Sequence, residues 1–287
     1  MAIRSSVRRR KRVAFWVLLV LSIVWMLPLV WAIGTSFKSA EEITNNVLGI
    51  IPMNATFKNY QDLFADVSQY PILRWMANSF IIASLHTALY LVIASAAAYA
   101  FSILRWKYRN LVFGILITTM MIPSVANIIP LFSMVVNFGW LNDGWRSFLA
   151  LIIPGLGGVF GLFIIRQFFI NIPREVVESA RIDGLSDLGI FFRIIFPLGK
   201  SALMVAGLFA FMGSWNDYLW PSIIGSVVMD PNFLTLQTGL ASMQSSNNYE
   251  YGKTMAAAII SIIPVIIVYM FVQDKIIEGV SHTGLKG

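Results

Sequence analysis

The sequence predicts an all-α polytopic membrane protein with six transmembrane helices, and three observations lead to this fold class. Hydrophobic residues make up 57% of the 287 residues and charged residues only 12%, whereas soluble domains carry about 25% charged residues. The apolar residues are gathered into six runs, each close to the roughly 20 residues that a spanning helix needs. The basic residues form short blocks beside these runs, as membrane topology requires.

Composition also excludes several kinds of chemistry. The chain has no cysteine and two histidines, so it offers no disulfide framework or thiolate metal site. We therefore predict no catalytic residue, no metal site and no cofactor of its own. The formal net charge of +7 would suit nucleic acid, but the placement of the cations beside apolar runs argues against a nucleic-acid partner.

The predicted domain organisation is a basic cytoplasmic N-terminus, 1–12, a transmembrane domain, 13–274, and a cytoplasmic tail, 275–287. The first apolar run, 13–37, exceeds the 7–15 residues typical of a signal-peptide core, so we expect it to span the membrane. Residues 38–74 and 221–253 are predicted to be polar loops. The six predicted spans are 13–35, 78–102, 111–137, 147–166, 199–220 and 254–273.

The distribution of Lys and Arg predicts the orientation. With the N-terminus inside, the inside segments 1–12, 105–109, 166–200 and 274–287 hold 16 of these residues. The outside segments hold five. The positive-inside rule then places both termini in the cytoplasm. The basic N-terminus is interpreted first as a topology signal and second as a contact for anionic membrane lipid.

Residues 171–197, called the 171–197 segment below, are charged and lie between the fourth and fifth spans. They predict two short helices. Pro173 suits the first helical turn, Gly184 is typical of a left-handed helix stop, and Ser186 is typical of an N-cap. Pro197 is expected to end the second helix. Such a helix pair between membrane spans predicts a cytoplasmic docking surface.

The spacing of residues in this segment resembles the EAA motif of ABC importer permeases, E-A-A-x3-G-x9-I-x-L-P. This chain has Ser179 at the second position and Phe196 in place of the leucine. The resemblance implies that the 171–197 segment is the coupling helix pair that docks into an ATP-hydrolysing subunit. The residues that carry this implied role are Glu178, Ser179, Ala180, Asp183, Gly184, Ile194 and Pro197.

Further pieces resemble the carbohydrate-importer branch, in particular the maltose-permease G-type subunits. They are Asp183 before Gly184, the outer pair Asn59-Tyr60, the pair Asn78-Ser79, the triplet Trp215-Asn216-Asp217 and the C-terminal stretch 283–287. The resemblance implies that Gly284, Leu285 and Lys286 in the tail contact the ATPase.

The function implied is that of a permease subunit in a binding-protein-dependent ABC importer, for sugars or oligosaccharides. It would form the translocation path in a bacterial or archaeal cell membrane. ATP would be bound and hydrolysed by a partner subunit, since no Walker A glycine loop occurs in this sequence. The implied partners are a cytosolic ATP-binding subunit dimer, a second and different permease subunit, an extracytoplasmic solute-binding protein and membrane lipid.

On the first helix of the 171–197 segment, Val176, Val177, Ala180 and Gly184 recur at helical spacing, and we expect this small apolar face to approach the partner. Glu178 is expected to pair with a basic group of the partner or with Arg181, three residues on. A capped amphipathic helix lying on the membrane is the alternative.

Four residues are candidates for the translocation path. Asn127 lies between Pro123 and Pro130, both expected to interrupt span three and free backbone carbonyls. Asn127 and Asn216 can bond sugar hydroxyls or neighbouring helices. Trp215 can stack on a sugar ring or belong to the interfacial aromatic belt, and Asp217 fits a structural or gating role better than a proton relay.

Three other classes of protein remain open. A secondary transporter would need paired intramembrane charges or related halves, and neither is visible. An intramembrane enzyme would need a cluster that His86 and Asp217 alone do not supply. An ABC permease for a non-sugar solute is compatible with the EAA-like spacing.

Overall fold

The computed structural model describes residues 2–46, 48–141, 144–244 and 250–283, and within these ranges the chain is helical without strands. The first helices are α1 (Ala2–Ser36), α2 (Ala40–Asn45), α3 (Lys58–Ala65), α4 (Ile72–Ser102), α5 (Arg109–Thr119), α6 (Ile128–Asn137), α7 (Arg146–Ile152) and α8 (Val159–Phe169). The remaining helices are α9 (Arg174–Ile182), α10 (Asp187–Ile190), α11 (Phe196–Leu198), α12 (Lys200–Trp215), α13 (Leu219–Val228), α14 (Leu236–Gln244) and α15 (Tyr251–Thr283).

Six stretches of these helices are long and apolar enough to cross a membrane when each bent pair counts as one crossing. Three are single helical stretches, Arg10–Ser36, Ile72–Ser102 and Tyr251–Asp274. The other three are pairs bent by 94°, 45° and 79°: Arg109–Thr119 with Ser124–Asn137, Arg146–Gly157 with Val159–Phe169, and Asp187–Leu198 with Lys200–Trp215. The predicted all-α polytopic fold class is therefore confirmed.

The sequence predicted that Pro123 and Pro130 interrupt the third span, and it treated the fourth span as continuous; the break at Pro123 is confirmed, and the other two details need correction. Pro123 has extended backbone angles, φ −59° and ψ 129°, and the 3-10 turn Ser124–Asn127 follows it, so the third span is broken there. Pro130 does not interrupt that span, because it lies in the first turn of α6, where a missing N–H costs nothing. In the fourth span, a 3-10 turn at Pro154–Gly157 separates α7 from α8.

The predicted polar loop 221–253 is wrong for much of its length, since it contains most of α13 and all of α14. The predicted fifth span, 199–220, is α12 followed by a break at residues 216–218. Pro221 lies in the first turn of α13, where proline is tolerated. At ten residues α13 is too short to be recognised as a span from its composition. The predicted tail 275–287 continues α15 as far as Thr283.

The chain forms two compact units, and the first comprises Met1–Ile72 and Leu240–Ile262. Within it Lys38 is fully buried because its Nζ donates hydrogen bonds to the carbonyls of Asn46 and Gly49. Asn59 Nδ2 donates to the carbonyls of Ser36 and Lys38, each at 2.8 Å. These bonds satisfy a buried charge and the loop backbone around it, as a folded interior requires.

The second unit comprises Leu73–Gly239 and Ile263–Gly287. Near the start of α4, Asn78 Nδ2 donates to the carbonyls of Asn232 and Leu234. Ser79 Oγ accepts from the N–H of Leu236 at 2.8 Å. The side chains of α4 thereby hold the connection between α13 and α14. The main core of this unit includes the fully buried Ala98, Ile165, Phe169, Ile190 and Ile195.

His86 and Tyr90 of α4 contact the broken fourth span. His86 Nδ1 lies 2.8 Å from the carbonyl oxygen of Ile152, a hydrogen bond between two helices. Tyr90 Oη accepts from the N–H of Gly161 at 2.7 Å and donates to the carbonyl of Gly158 at 3.1 Å. The backbone groups freed at the break are thus satisfied by protein, as a membrane interior requires.

Candidate functional site

The 171–197 segment begins with a short, well-terminated helix. Pro173 is extended, φ −56° and ψ 134°, and immediately precedes α9. At the other end Gly184 has φ +83°, in the left-handed region that glycine adopts without strain. The N–H of Leu185 donates to the carbonyl of Ala180 at 3.0 Å, and the N–H of Gly184 to that of Arg181 at 3.1 Å. These two bonds form a Schellman motif, so the predicted left-handed stop is confirmed.

The second helical stretch starts at a side-chain cap. Ser186 Oγ accepts a hydrogen bond from the N–H of Gly189 at 3.2 Å, which confirms the predicted N-cap. A wide π-turn, Phe191–Ile195, follows α10 and ends two residues before Pro197, whose missing N–H cannot continue a regular helix. The stretch continues through Leu198, one residue past the predicted end, before the chain bends into α12.

One side of the 171–197 segment is packed onto the core of its own chain. Val177 and Ala180 are buried, as are Ile190, Phe191 and Ile195, and all five belong to the core that includes Phe169. The prediction that Val177 and Ala180 face the partner is therefore wrong. A small apolar pair at helical spacing suits either surface, and the tertiary fold uses it internally.

The opposite side of the segment is exposed, and it carries most of the residues assigned by the EAA resemblance. Glu178, Ser179, Asp183, Gly184 and Pro197 are exposed, whereas Ile194 is half-buried. Sequence reasoning missed three large apolar side chains on this surface, although the pattern of α9 and α10 could have indicated them. They are Ile182, exposed by 86%, Leu188, by 72%, and Phe192, by 61%.

The ion pairs of the segment differ from those predicted. Glu178 Oε1 lies 3.7 Å from a guanidinium nitrogen of Arg105, in the turn after α4. Arg181, the partner expected for Glu178 within the chain, instead donates to Asp187 Oδ1 at 3.1 Å; pairing of Glu178 with a basic group of a docked subunit stays a prediction. All four side chains are substantially exposed, so each pair contributes at most about 1 kcal/mol to folding. Arg105 was missed because its proximity to Glu178 arises only from packing of distant elements.

The candidate path residues lie at two helix breaks. Asn127 is exposed and ends the 3-10 turn before α6. Asn216 is exposed and Asp217 half-buried in the break between α12 and α13, where Asp217 lies beside the backbone N–H groups of Trp220 and Leu219. That position suits an acid that caps the start of α13.

Trp215 departs from both sequence-based interpretations. Its side chain is only 1% exposed and stacks on Phe211, with ring centroids 5.8 Å apart and an interplanar angle of 14°. A tryptophan covered in this way by its own chain is neither free to stack on a sugar ring nor part of an interfacial belt.

Two further expectations concern the tail and metal binding. The tail residues predicted to contact the ATPase, Gly284, Leu285 and Lys286, lie outside the described residues. Within the described ranges no group of three or more His, Cys, Asp or Glu side chains is placed to hold a metal ion.

Comparison with known proteins gives consistent matches along the chain. Residues 90–282 match the family described as "Binding-protein-dependent transport system inner membrane component". The arabinooligosaccharides transport system permease protein AraQ of Bacillus subtilis is 31% identical over 271 residues, covering 94% of this chain and 93% of AraQ. The lactose transport system permease protein LacG of Rhizobium radiobacter is 32% identical over 279 residues, covering 96% and 97%.

A solved structure shares the fold. The crystal structure of a bacterial ABC transporter involved in the import of the acidic polysaccharide alginate contains a chain that superposes with a TM-score of 0.78. The match covers 93% of this chain and 96% of that chain, at 24% sequence identity. At that identity the likeness concerns the fold alone.

Proposed function

The chain belongs to the family of binding-protein-dependent transport system inner membrane components, and on that premise we propose that it is the permease subunit of an ABC importer for sugars or oligosaccharides. Membership makes it a multi-pass membrane protein. The observation that carries the proposal is the 171–197 segment, a capped helix pair with one face packed on the core and the other exposed.

The proposed substrate class follows from the relatives. AraQ and LacG are named for transport of arabinooligosaccharides and of lactose, and both align with this chain over more than nine tenths of its length. These names support a sugar or oligosaccharide as cargo. A non-sugar solute is the second candidate, because the coupling segment itself is independent of cargo.

Coupling to ATP is proposed to act through the exposed face of the 171–197 segment. The Schellman turn at Gly184 fixes the angle between α9 and α10, and the buried side chains join both to the core of the second unit. A push on the exposed face by an ATP-hydrolysing subunit dimer would therefore move the helices packed in that core together with the segment. In this arrangement ATP is hydrolysed by the partner, and this chain transmits the movement.

The orientation proposed places both termini and the 171–197 segment in the cytoplasm of a cell with an inner or single cell membrane. The ratio of 16 Lys and Arg residues to five between the two sides supports it. An extracytoplasmic solute-binding protein would deliver cargo on the opposite side. A second, different permease subunit would complete the path, to which Asn127, Asn216 and Asp217 are proposed to contribute.

Reconstitution tests this function directly. The chain would be purified with its co-expressed partner subunits, inserted into liposomes and supplied with the solute-binding protein and a panel of labelled sugars. We expect uptake that requires both ATP and the binding protein. Uptake that survives without ATP but stops with an uncoupler would contradict the proposal and indicate a secondary transporter, and uptake restricted to non-sugar solutes would contradict the substrate class.

A further inference from the structure

A cavity of about 540 Å³ lies beside the 171–197 segment, within the second unit. Its walls are the turn after α4, the start of α5, the end of α8 and one face of α9. This volume lies in the range of small-molecule sites, about 300–1,000 Å³, so a charged headgroup fits inside. Its charged lining residues are Arg105, Lys107, Arg109, Arg174, Glu178 and Arg181, and it is called the basic cavity below.

The basic cavity carries an excess of positive charge. Its lining holds five positively charged side chains. Two carboxylates lie near them, Glu178 in the wall and Asp187 in contact with Arg181, which leaves three positive charges in excess. Among the described residues no ion pair engages Lys107 or Arg174. Like charges gathered around a concave surface repel one another and focus a positive potential there, which an anion inside the cavity would relieve.

The backbone of α9 adds to this potential. Arg174 is its first residue, and the lining positions Arg174, Val177, Glu178 and Arg181 follow the i, i+3, i+4, i+7 spacing of one helical face. The positive end of the helix dipole therefore lies at the cavity wall, where it favours a negatively charged group. Arginine-rich walls of this kind suit phosphate, whose oxygens match the guanidinium fork.

The lining of the basic cavity also includes exposed apolar side chains, which a free anion would not need. Leu111 and Ile170, which line it, are exposed by 62% and 46%, and Trp106 lies beside them with its Nε1 donating to the carbonyl of Ala100 at 3.0 Å. Along α5, one turn beyond Leu111, Ile115 is exposed by 56%. A basic cavity beside a helix with exposed apolar side chains fits an amphipathic anion.

We propose that the basic cavity binds the phosphate group of an anionic membrane phospholipid, with the acyl chains lying along α5. The bound phosphate, with its single negative charge, offsets part of the excess positive charge of both walls and so helps to hold α9 against the turn after α4. Basic pockets between membrane helices are known to bind such headgroups. This lipid binding is additional to the proposed transport function. Only the placement of the bound lipid in the cytoplasmic leaflet of the membrane rests on the orientation proposed above.

The test compares two double variants of the full chain, purified in detergent with and without its partner subunits. Lys107→Gln with Arg174→Gln removes two cations from the cavity. Arg193→Gln with Lys200→Gln removes the same two residue types at exposed positions outside its lining. Native mass spectrometry of delipidated protein would be titrated with phosphatidylglycerol, phosphatidylcholine and inorganic phosphate, and circular dichroism would check that each variant stays helical.

We expect the unmodified chain to bind phosphatidylglycerol in preference to phosphatidylcholine. The cavity variant should bind it about 30-fold more weakly, at roughly 1 kcal/mol for each Lys or Arg removed, and the control variant should match the unmodified chain. Inorganic phosphate should compete only weakly, because it lacks the acyl chains.

Three outcomes would overturn the proposal. Equal binding of phosphatidylcholine would show that charge is not recognised. Inorganic phosphate that binds as tightly as phosphatidylglycerol would make the cavity a site for a soluble anion. A cavity variant that keeps its lipid but loses its ATPase subunit would show that the cavity faces that protein instead. Lipid binding is measured without transport, so an absence of lipid binding can be told apart from an absence of the proposed transport function.

Discussion

Glu178 and Arg105 both line the basic cavity, where a carboxylate oxygen of the first lies 3.7 Å from a guanidinium nitrogen of the second. The contact joins the 171–197 segment to the turn between the second and third spans. It also leaves Glu178 partly accessible, since its side chain is 59% exposed. Glu178 can therefore pair with Arg105 inside the chain, contact a docked partner, or do both. Exchanging the charges of Glu178 and Arg105 distinguishes these roles.

Reversing the charge of Glu178 is expected to impair coupling. In Glu178→Lys the new lysine lies beside the like charge of Arg105, and a docked ATPase subunit no longer finds a carboxylate at this position. We expect ATP-dependent uptake to fall several-fold, while the folding free energy changes by less than about 1 kcal/mol because the pair is exposed. Uptake into liposomes and thermal unfolding of the purified complex measure these two effects.

The control is the double exchange Arg105→Glu with Glu178→Lys, which restores an internal pair of opposite charges. If Glu178 acts on the partner, uptake stays low in this variant. Full recovery of uptake would show instead that the internal pair is what matters and would contradict docking by Glu178.

Replacement of Gly184 by alanine should weaken coupling through the backbone. Its φ of +83° costs an L-residue about 1–2 kcal/mol, whereas nothing lies within 4 Å of an added Cβ. We therefore expect Gly184→Ala to loosen the angle between α9 and α10 and to reduce uptake per ATP hydrolysed. Simultaneous measurement of ATP hydrolysis and uptake gives that ratio.

Two variants control for this effect. Gly184→Asn should retain most of the coupling, because asparagine tolerates the left-handed conformation. Gly114→Ala makes the same chemical change inside α5, where an added Cβ also meets nothing within 4 Å, and should leave the ratio unchanged. An unaltered ratio in Gly184→Ala would count against a rigid segment.

Ile182 is predicted to be an anchor for the ATPase subunit. Its side chain is 86% exposed at the end of α9, on the same surface as the exposed Leu188 and Phe192, and grouped exposed apolar side chains mark protein contacts. We expect Ile182→Ala to weaken association with the ATPase subunit about tenfold without changing the stability of the chain. The matched control is Leu48→Ala. The Leu48 side chain is 85% exposed on the side of the membrane proposed to be opposite. Equal effects of the Ile182 and Leu48 variants would refute a specific anchor.

Trp215 is predicted to support the fold rather than to contact cargo. Because it is buried and stacked on Phe211, Trp215→Ala should lower the free energy of unfolding by about 3–5 kcal/mol, and Trp215→Phe should restore much of it. Trp145→Ala, at a side chain that is 66% exposed, should have little effect on thermal unfolding. If Trp215→Ala is stable and needs a higher sugar concentration for half-maximal uptake, the interpretation that Trp215 stacks on a sugar ring would be restored.

Local features of the 171–197 segment were predictable because their causes lie within a few residues. The stop at Gly184 and the cap at Ser186 depend on backbone freedom and on a hydroxyl within reach of the next N–H groups, and both were recognised from the sequence. The same holds for the six-span fold class, which follows from lengths of apolar sequence and the placement of charge.

Three features required the tertiary structure. Val177 and Ala180 could have faced either the core or a partner, because a small apolar stripe suits both and only packing into the core that includes Phe169 selects one. Arg105 could not be paired with Glu178 from the sequence, since the spatial proximity of residues so distant in sequence depends on how the helices between them pack. The break at Pro154 lies in an apolar run whose composition predicts a crossing but not its path. Short-range chemistry thus determined the helices and their caps, whereas burial and charge partners, being properties of the packed chain, were decided by the fold.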